Sequence, residues 1–181
     1  MDEKSLVKLC LQGEERACKT LFDLYSRQMF ALCIRYSTNR QDAEDNLQDG
    51  FIKVFQNLES WRSEGALGAW IRRIMVNTCI SRQKSAYNMH VLNSGTELPE
   101  ISLSPEIMSN LTVSEIDKII EQMPKGYKTI FRLSIIEGYS YEEISQLLEI
   151  TESTCRSQVF KAKNYLAKRI ELLYPKLNVS L

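Results

Sequence analysis

Apolar residues recur at three- and four-residue spacings along most of the 181-residue chain. That is the period of helices with one buried face, and no stretch keeps the strict alternation of a half-buried strand. The pattern predicts four helices in the first half: Glu3–Gln12, stopped by Gly13; Glu14–Tyr36, with Ala17, Leu21, Leu24, Leu32 and Tyr36 near one face; Gln41–Leu58; and Ala66–Lys84. In the fourth, Leu67, Trp70, Ile71, Ile74 and Thr78 form one stripe, which places Trp70 in the core. Arg72, Arg73, Asn77 and Lys84 fall largely off that stripe, so the helix packs on one side and presents cations and an amide on the other.

The helical pattern fails between Ser85 and Thr112, where two prolines and several Ser and Asn residues interrupt it. Such a stretch reads as a linker between an N-terminal domain (1–85) and a C-terminal domain (113–181), with residues 86–112 joining them. Helices resume at Val113–Gln122, break at Met123-Pro124-Lys125-Gly126, and continue at Tyr127–Ile136, which Gly138 stops. The expected fold is therefore all-α: two small helical domains joined by a flexible linker, each near the lower size for an independent core.

The segment YSYEEISQLLEITESTCRSQVFKAKNYL (139–166) carries the most local information. Ser140 followed by Glu143 is a capping box, so a helix begins at Tyr141 and buries Ile144, Leu147 and Leu148. A turn at Glu149–Thr151 follows, with Thr151 as the next N-cap and Glu152 favourably placed in the first turn. The second helix aligns Cys155, Val159, Ala162, Leu166, Ile170 and Leu173 inward. Opposite them stand Ser153, Arg156, Ser157, Phe160 and Asn164, flanked by Lys161 and Lys163. A short helix, a tight turn and a helix with a basic outer face form a helix-turn-helix, whose second helix can enter the DNA major groove. Arg156 is the candidate base-reader, because a guanidinium can bind guanine bidentately, and the lysines suit phosphates. An ordinary helical hairpin with a solvated face has the same outline. The cap, the tight turn and an exposed Phe160 among cations favour DNA.

Charge sharpens this picture. Lys plus Arg equals Asp plus Glu at 23 each, yet five basic residues stand between Arg62 and Lys84 against Glu64 alone. Six more (Arg156, Lys161, Lys163, Lys168, Arg169, Lys176) stand near the C-terminus against Glu171. Two basic faces suit two contacts with a polyanion, although solvated helix faces have the same composition. The five cysteines are scattered without a C-x-x-C pair and only His90 could join them, so no metal site is expected and the thiols read as reduced core fillers. No apolar run is long enough to span a bilayer, and the N-terminus has no secretory pattern; cytoplasm is the expected location. There is no Gly-rich phosphate loop or paired catalytic group, so no catalytic site, cofactor or small-molecule substrate is expected.

The segment DAEDNLQDGFIKVF, followed by GAWIRRIMVNTC, resembles region 2 of bacterial sigma factors. MPKGYKTIFRLSIIEGYSYEEISQLLEITESTCRSQVFKAK resembles region 4. Both blocks in this order, separated by a variable linker, are similar to the extracytoplasmic-function (ECF) sigma factors. The resemblance covers nearly the whole chain apart from the linker and both ends. It implies that Asp45, Gln48 and Asp49 dock on the β′ clamp helices of core RNA polymerase. It implies that Trp61, Arg72, Arg73 and Asn77 recognise and help open the promoter −10 element. It implies that Arg156, Ser157, Phe160, Lys161 and Lys163 read the −35 element, while an apolar groove receives the β flap. An anti-sigma factor is a usual further partner. Three departures stand out: Glu149 where relatives usually carry Gly, Cys155 in place of a usual Val, and Asn46 with Gly50 where apolar residues are commoner. A self-standing dimeric regulator would also use a helix-turn-helix, but it leaves the first block without a role.

Overall fold

The computed structural model describes residues 2–91 and 112–173, and these fall into two compact units, Met1–Gln83 and Lys84–Leu181. Every regular element among the described residues is helical.

The first unit contains α1 (Glu3–Leu11), α2 (Glu15–Tyr36), α3 (Arg40–Gln56), a 3-10 turn (Leu58–Ser60) and the start of α4 (Leu67–Val91). Each short polar residue before a helix takes an orphan donor. Asp2 accepts from the Ser5 N–H at 2.6 Å and Asn39 accepts from the Asp42 N–H at 2.8 Å, as N-caps do. Leu21, Met29, Leu32 and Cys33 of α2, Phe51 and Val54 of α3, and Leu67, Ile71, Met75, Val76, Cys79 and Ile80 of α4 are all buried in the core. Each fully buried large side chain contributes about 1.5–3 kcal/mol.

Gly50 has a packing reason. A Cβ there would lie 2.2 Å from the Met75 Sδ, so the missing side chain is what lets α3 approach α4. Asn46 is also fully buried, and its Nδ2 donates to the Ser37 Oγ at 2.9 Å. The two residues that look out of place in the acidic helix thus each have a packing role.

Two expectations change here. Leu24 is 63% exposed, because it lies roughly a quarter turn outside the arc centred on Met29, Leu32 and Tyr36. The fourth helix continues to Val91, beyond Lys84, so the first residues of the span read as linker are helical; the rest of that span, up to 111, lies outside the described residues.

The second unit contains α5 (Val113–Glu121), α6 (Lys125–Phe131) running into a π turn (Arg132–Ile136), α7 (Tyr141–Leu148) and α8 (Glu152–Leu173). Two full capping boxes, Thr112 with Glu115 and Ser140 with Glu143, start α5 and α7. Pro124 precedes α6 and sets its start two residues before the expected Tyr127. Ile119, Ile120, Met123, Tyr127, Phe131, Ala162, Leu166 and Ile170 form the core. Buried Arg132 pairs with Glu121, whose Oε2 also lies 3.2 Å from the Lys128 Nζ. Partial burial pushes the Glu121 carboxyl up, but the charges of Arg132 and Lys128 outweigh it and hold the pKa below its usual value.

Because α8 packs against α5, α6 and α7 together, its buried arc is wider than one stripe. Asn164, expected on the outer face, is buried, while Leu173, expected inside, is exposed beyond the last packing partner. Leu147 is only half-buried, whereas Ile144 and Leu148 are fully enclosed. Of the cysteines, Cys10, Cys33, Cys79 and Cys155 are buried and Cys18 is half-buried, all as free thiols.

Candidate nucleic-acid and polymerase interfaces

On the first unit, the acidic face of α3 is an ion-pair cluster. Asp45 and Asp49 are half-buried and Gln48 is exposed. The Arg82 guanidinium of α4 reaches both carboxylates, with Nη2 3.3 Å from Asp49 Oδ2 and Nη1 3.8 Å from Asp45 Oδ2. The Gln41 Nε2 donates to Asp45 at 3.2 Å. The three expected docking residues are therefore brought together, and Arg82 joins them from the neighbouring helix.

The loop after the 3-10 turn and the first turns of α4 enclose a cleft of about 510 Å³, lined by Ser60, Trp61, Arg62, Glu64, Gly65, Ala66, Ala69, Trp70 and Arg73. Backbone at positive φ, Ser63 at 61° and Gly65 at 108°, folds the loop back on the helix. The indole Nε1–H of Trp61 is buried and has no protein acceptor. Two tryptophans and a guanidinium around one opening make a surface on which a planar, electron-rich group can stack. Trp70, expected in the core, instead lines this cleft and is half-buried. The reason is geometric: α4 buries the arc through Leu67, Ile71 and Met75, with Trp70 at its edge.

The four residues expected at the −10 element divide between two places. Trp61 and Arg73 line the cleft. Asn77 follows Arg73 one turn along α4, on the same side, and is half-buried; Arg72 is half-buried outside the cleft lining.

On the second unit, the turn between α7 and α8 forms as expected, with Glu149 in the left-handed conformation (φ 55°, ψ 46°). A glycine would adopt this without steric cost, which is why glycine is common at such a position. Thr151 caps α8 by accepting from the Thr154 N–H at 3.1 Å. Arg156, Ser157, Phe160 and Lys163 are exposed, and Lys161 is half-buried. The Arg156 guanidinium carbon sits 5.7 Å from the centre of the Tyr141 ring, a cation–π contact that steadies a long side chain at the start of the helix.

Comparison with known proteins matches the same two units. Residues 21–87 match Sigma-70 region 2, and residues 114–166 match Sigma-70, region 4. The ECF RNA polymerase sigma-E factor of Haemophilus influenzae is 30% identical over 96% of this chain and 97% of its own length. The chain belongs to the ECF sigma factors. The RNA polymerase sigma-H factor of Pseudomonas aeruginosa is 27% identical over 94% of this chain and 95% of its own length. A solved Bartonella quintana sigma factor, in complex with the anti-sigma factor NepR, is 21% identical, with a TM-score of 0.49 over 85% of this chain and 96% of that one.

As an ECF sigma factor, the chain directs promoter-specific transcription initiation by RNA polymerase. Arg82 and Trp70 join these candidate sites although the sequence pattern does not place them there. Arg82 was visible only as part of a basic block, because nothing in periodicity says which neighbouring helix a cation faces. Spacing puts Trp70 on the stripe whose edge it occupies. Among the described residues no group of His, Cys, Asp and Glu is arranged to hold a metal ion, and no helix is long and apolar enough to cross a membrane.

Proposed function

We propose that residues 1–85 act as sigma region 2, docking on the β′ clamp helices through Asp45, Gln48 and Asp49, and that the cleft beside Trp61 receives a base taken from the −10 duplex. The observation that carries this is the cleft itself, in which Trp61, Trp70 and Arg73 surround one opening. A flipped base offers a π-face to the tryptophans and to the guanidinium. Arg72, Arg73 and Asn77 extend the contact along α4 to the strand that follows.

In this account residues 113–181 act as sigma region 4. Arg156 reads a guanine edge of the −35 element, Ser157 and Phe160 meet neighbouring base edges, and Lys161 and Lys163 meet phosphates. The β flap docks on the same unit in this account, and residues 86–112 link the two. The protein works in the cytoplasm as a non-catalytic polymerase subunit and is held in reserve by an anti-sigma factor.

The test is permanganate footprinting of unpaired thymines on a promoter mapped with holoenzyme reconstituted from this chain. Trp61→Ala and Arg73→Ala should suppress opening around −10 while the variants still bind core polymerase. Opening at the wild-type level in both would remove the cleft from the mechanism.

A further inference from the structure

The wall of the cleft is held in place from behind by a carboxylate on the first helix. α4 begins after Ala66, which has no side-chain acceptor with which to cap it, yet the Leu67 N–H is satisfied: it donates to Glu3 Oε2 at 3.0 Å. The other Glu3 oxygen accepts from the Tyr25 hydroxyl at 2.8 Å. One carboxylate from α1 thus joins α2 to the N-terminus of α4, where negative charge complements the helix dipole.

Tyr25 secures the same turn by packing. A Cβ on Gly68 would lie 3.0 Å from Tyr25 Cε1, so the ring sits against bare backbone and fixes the distance between α2 and the start of α4. Burial, reinforced by the Glu3 hydrogen bond, pushes the Tyr25 hydroxyl up to about 12, so it remains a donor throughout the neutral range. Ala66, Ala69, Trp70 and Arg73, all within two turns of this anchor, are cleft wall.

We infer that Glu3 and Tyr25 are positioning residues for base capture: they hold the first turn of α4 so that Trp70 and Arg73 face Trp61. This rests on the proposal that the cleft receives a −10 base. Neither residue lines the cleft, so their effect passes through the α4 N-terminus. The amide of Glu3→Gln can still accept from Leu67 and donate to the Tyr25 oxygen, whereas Glu3→Ala leaves the Leu67 N–H without its cap.

The experiment compares holoenzymes carrying wild-type chain, Glu3→Ala, Glu3→Gln, Tyr25→Phe and Trp61→Ala. The probe is a fluorescent single-stranded oligonucleotide spanning the −10 element of a promoter mapped with the wild-type holoenzyme. Glu3→Ala should weaken its binding about fivefold, as expected for loss of one helix cap. Glu3→Gln should restore affinity to near wild type, Tyr25→Phe should fall between, and affinity for core polymerase should be unchanged in all three. Wild-type oligonucleotide binding by Glu3→Ala, alongside a loss in Trp61→Ala, would overturn the positioning role while leaving the cleft intact. Parallel loss of core affinity in Glu3→Ala and Glu3→Gln would also overturn it, by showing a merely structural role. Wild-type binding by Trp61→Ala would overturn the cleft proposal itself, and this inference with it.

Discussion

The Arg82 guanidinium on α4 stands 3.3 Å from the Asp49 carboxylate on α3 and bridges to Asp45. In the proposed docking, a basic polymerase surface would compete with this ion pair. All three side chains remain nearly half-exposed, so solvent screens the pair and its worth is about 0.2–1 kcal/mol. Arg82→Ala should tighten core polymerase binding by at most about fivefold at low salt, with the gain fading as salt rises. Asp49→Asn should weaken binding. A titration at two salt concentrations checks both signs, and tighter binding by Asp49→Asn would contradict the docking assignment.

Asn77→Ala should impair use of the −10 element without loss of polymerase binding. Asn77 lies on the Arg73 side of α4 but beyond the cleft lining, so its loss should be milder than that of Trp61→Ala. Transcription at the wild-type level from promoters with altered −10 bases, measured for both variants, would remove Asn77 from recognition.

For the −35 element, Arg156→Ala and Lys163→Ala should separate base reading from charge. The first should cost about 1–3 kcal/mol of discrimination at one position and relax its preference. The second should weaken binding evenly and lower the salt slope by up to about one unit. Binding of holoenzyme to a panel of single-base −35 variants, repeated across salt, checks the pair. Equal losses on every variant for Arg156→Ala would rule it out as the base-reader.

How much of this was legible in the sequence depended on how local each feature was. The Ser140–Glu143 box, the Thr151 cap and the start of α7 follow from residues three apart, and all are present. Outward-facing Arg156, Ser157 and Phe160 follow from one helical period. Features made by distant segments were hidden. Nothing near Gly50 announces Met75, nothing near Leu67 announces Glu3, and the burial of Asn164 depends on three helices packing around α8. Trp70 sits at the edge of its arc and Leu24 beyond the edge of its own, where spacing alone does not decide burial.

Glu149 should be a stabilising position for glycine. Its left-handed backbone carries a Cβ cost of about 1–2 kcal/mol, and Gly gives part of this back in unfolded-chain entropy. Glu149→Gly should stabilise the second unit by about 1 kcal/mol, and Glu149→Val should destabilise it, in urea melts of the full chain. A less stable Glu149→Gly would show that the Glu149 side chain contributes more than its backbone costs.

The Glu121 carboxyl sets an acid limit for the same unit. Its native pKa lies below the ordinary 4.5, so the unfolded chain binds the proton more readily. The stabilisation is complete above that ordinary value and is lost as pH falls through the lowered one. Urea midpoints of the C-terminal transition should therefore fall with acid below about pH 5. Glu121→Gln should flatten that fall while lowering the midpoint at neutral pH, because the Glu121 charge no longer pairs with buried Arg132. A midpoint in Glu121→Gln with the wild-type acid dependence would assign that dependence elsewhere.

The most direct measurement mixes the purified chain, free of any anti-sigma factor, with core RNA polymerase from its own host and follows both by gel filtration. The account predicts co-elution that is lost when Asp45 and Gln48 are both replaced by Ala in a chain that still folds. A folded wild-type chain that elutes apart from core polymerase would contradict it.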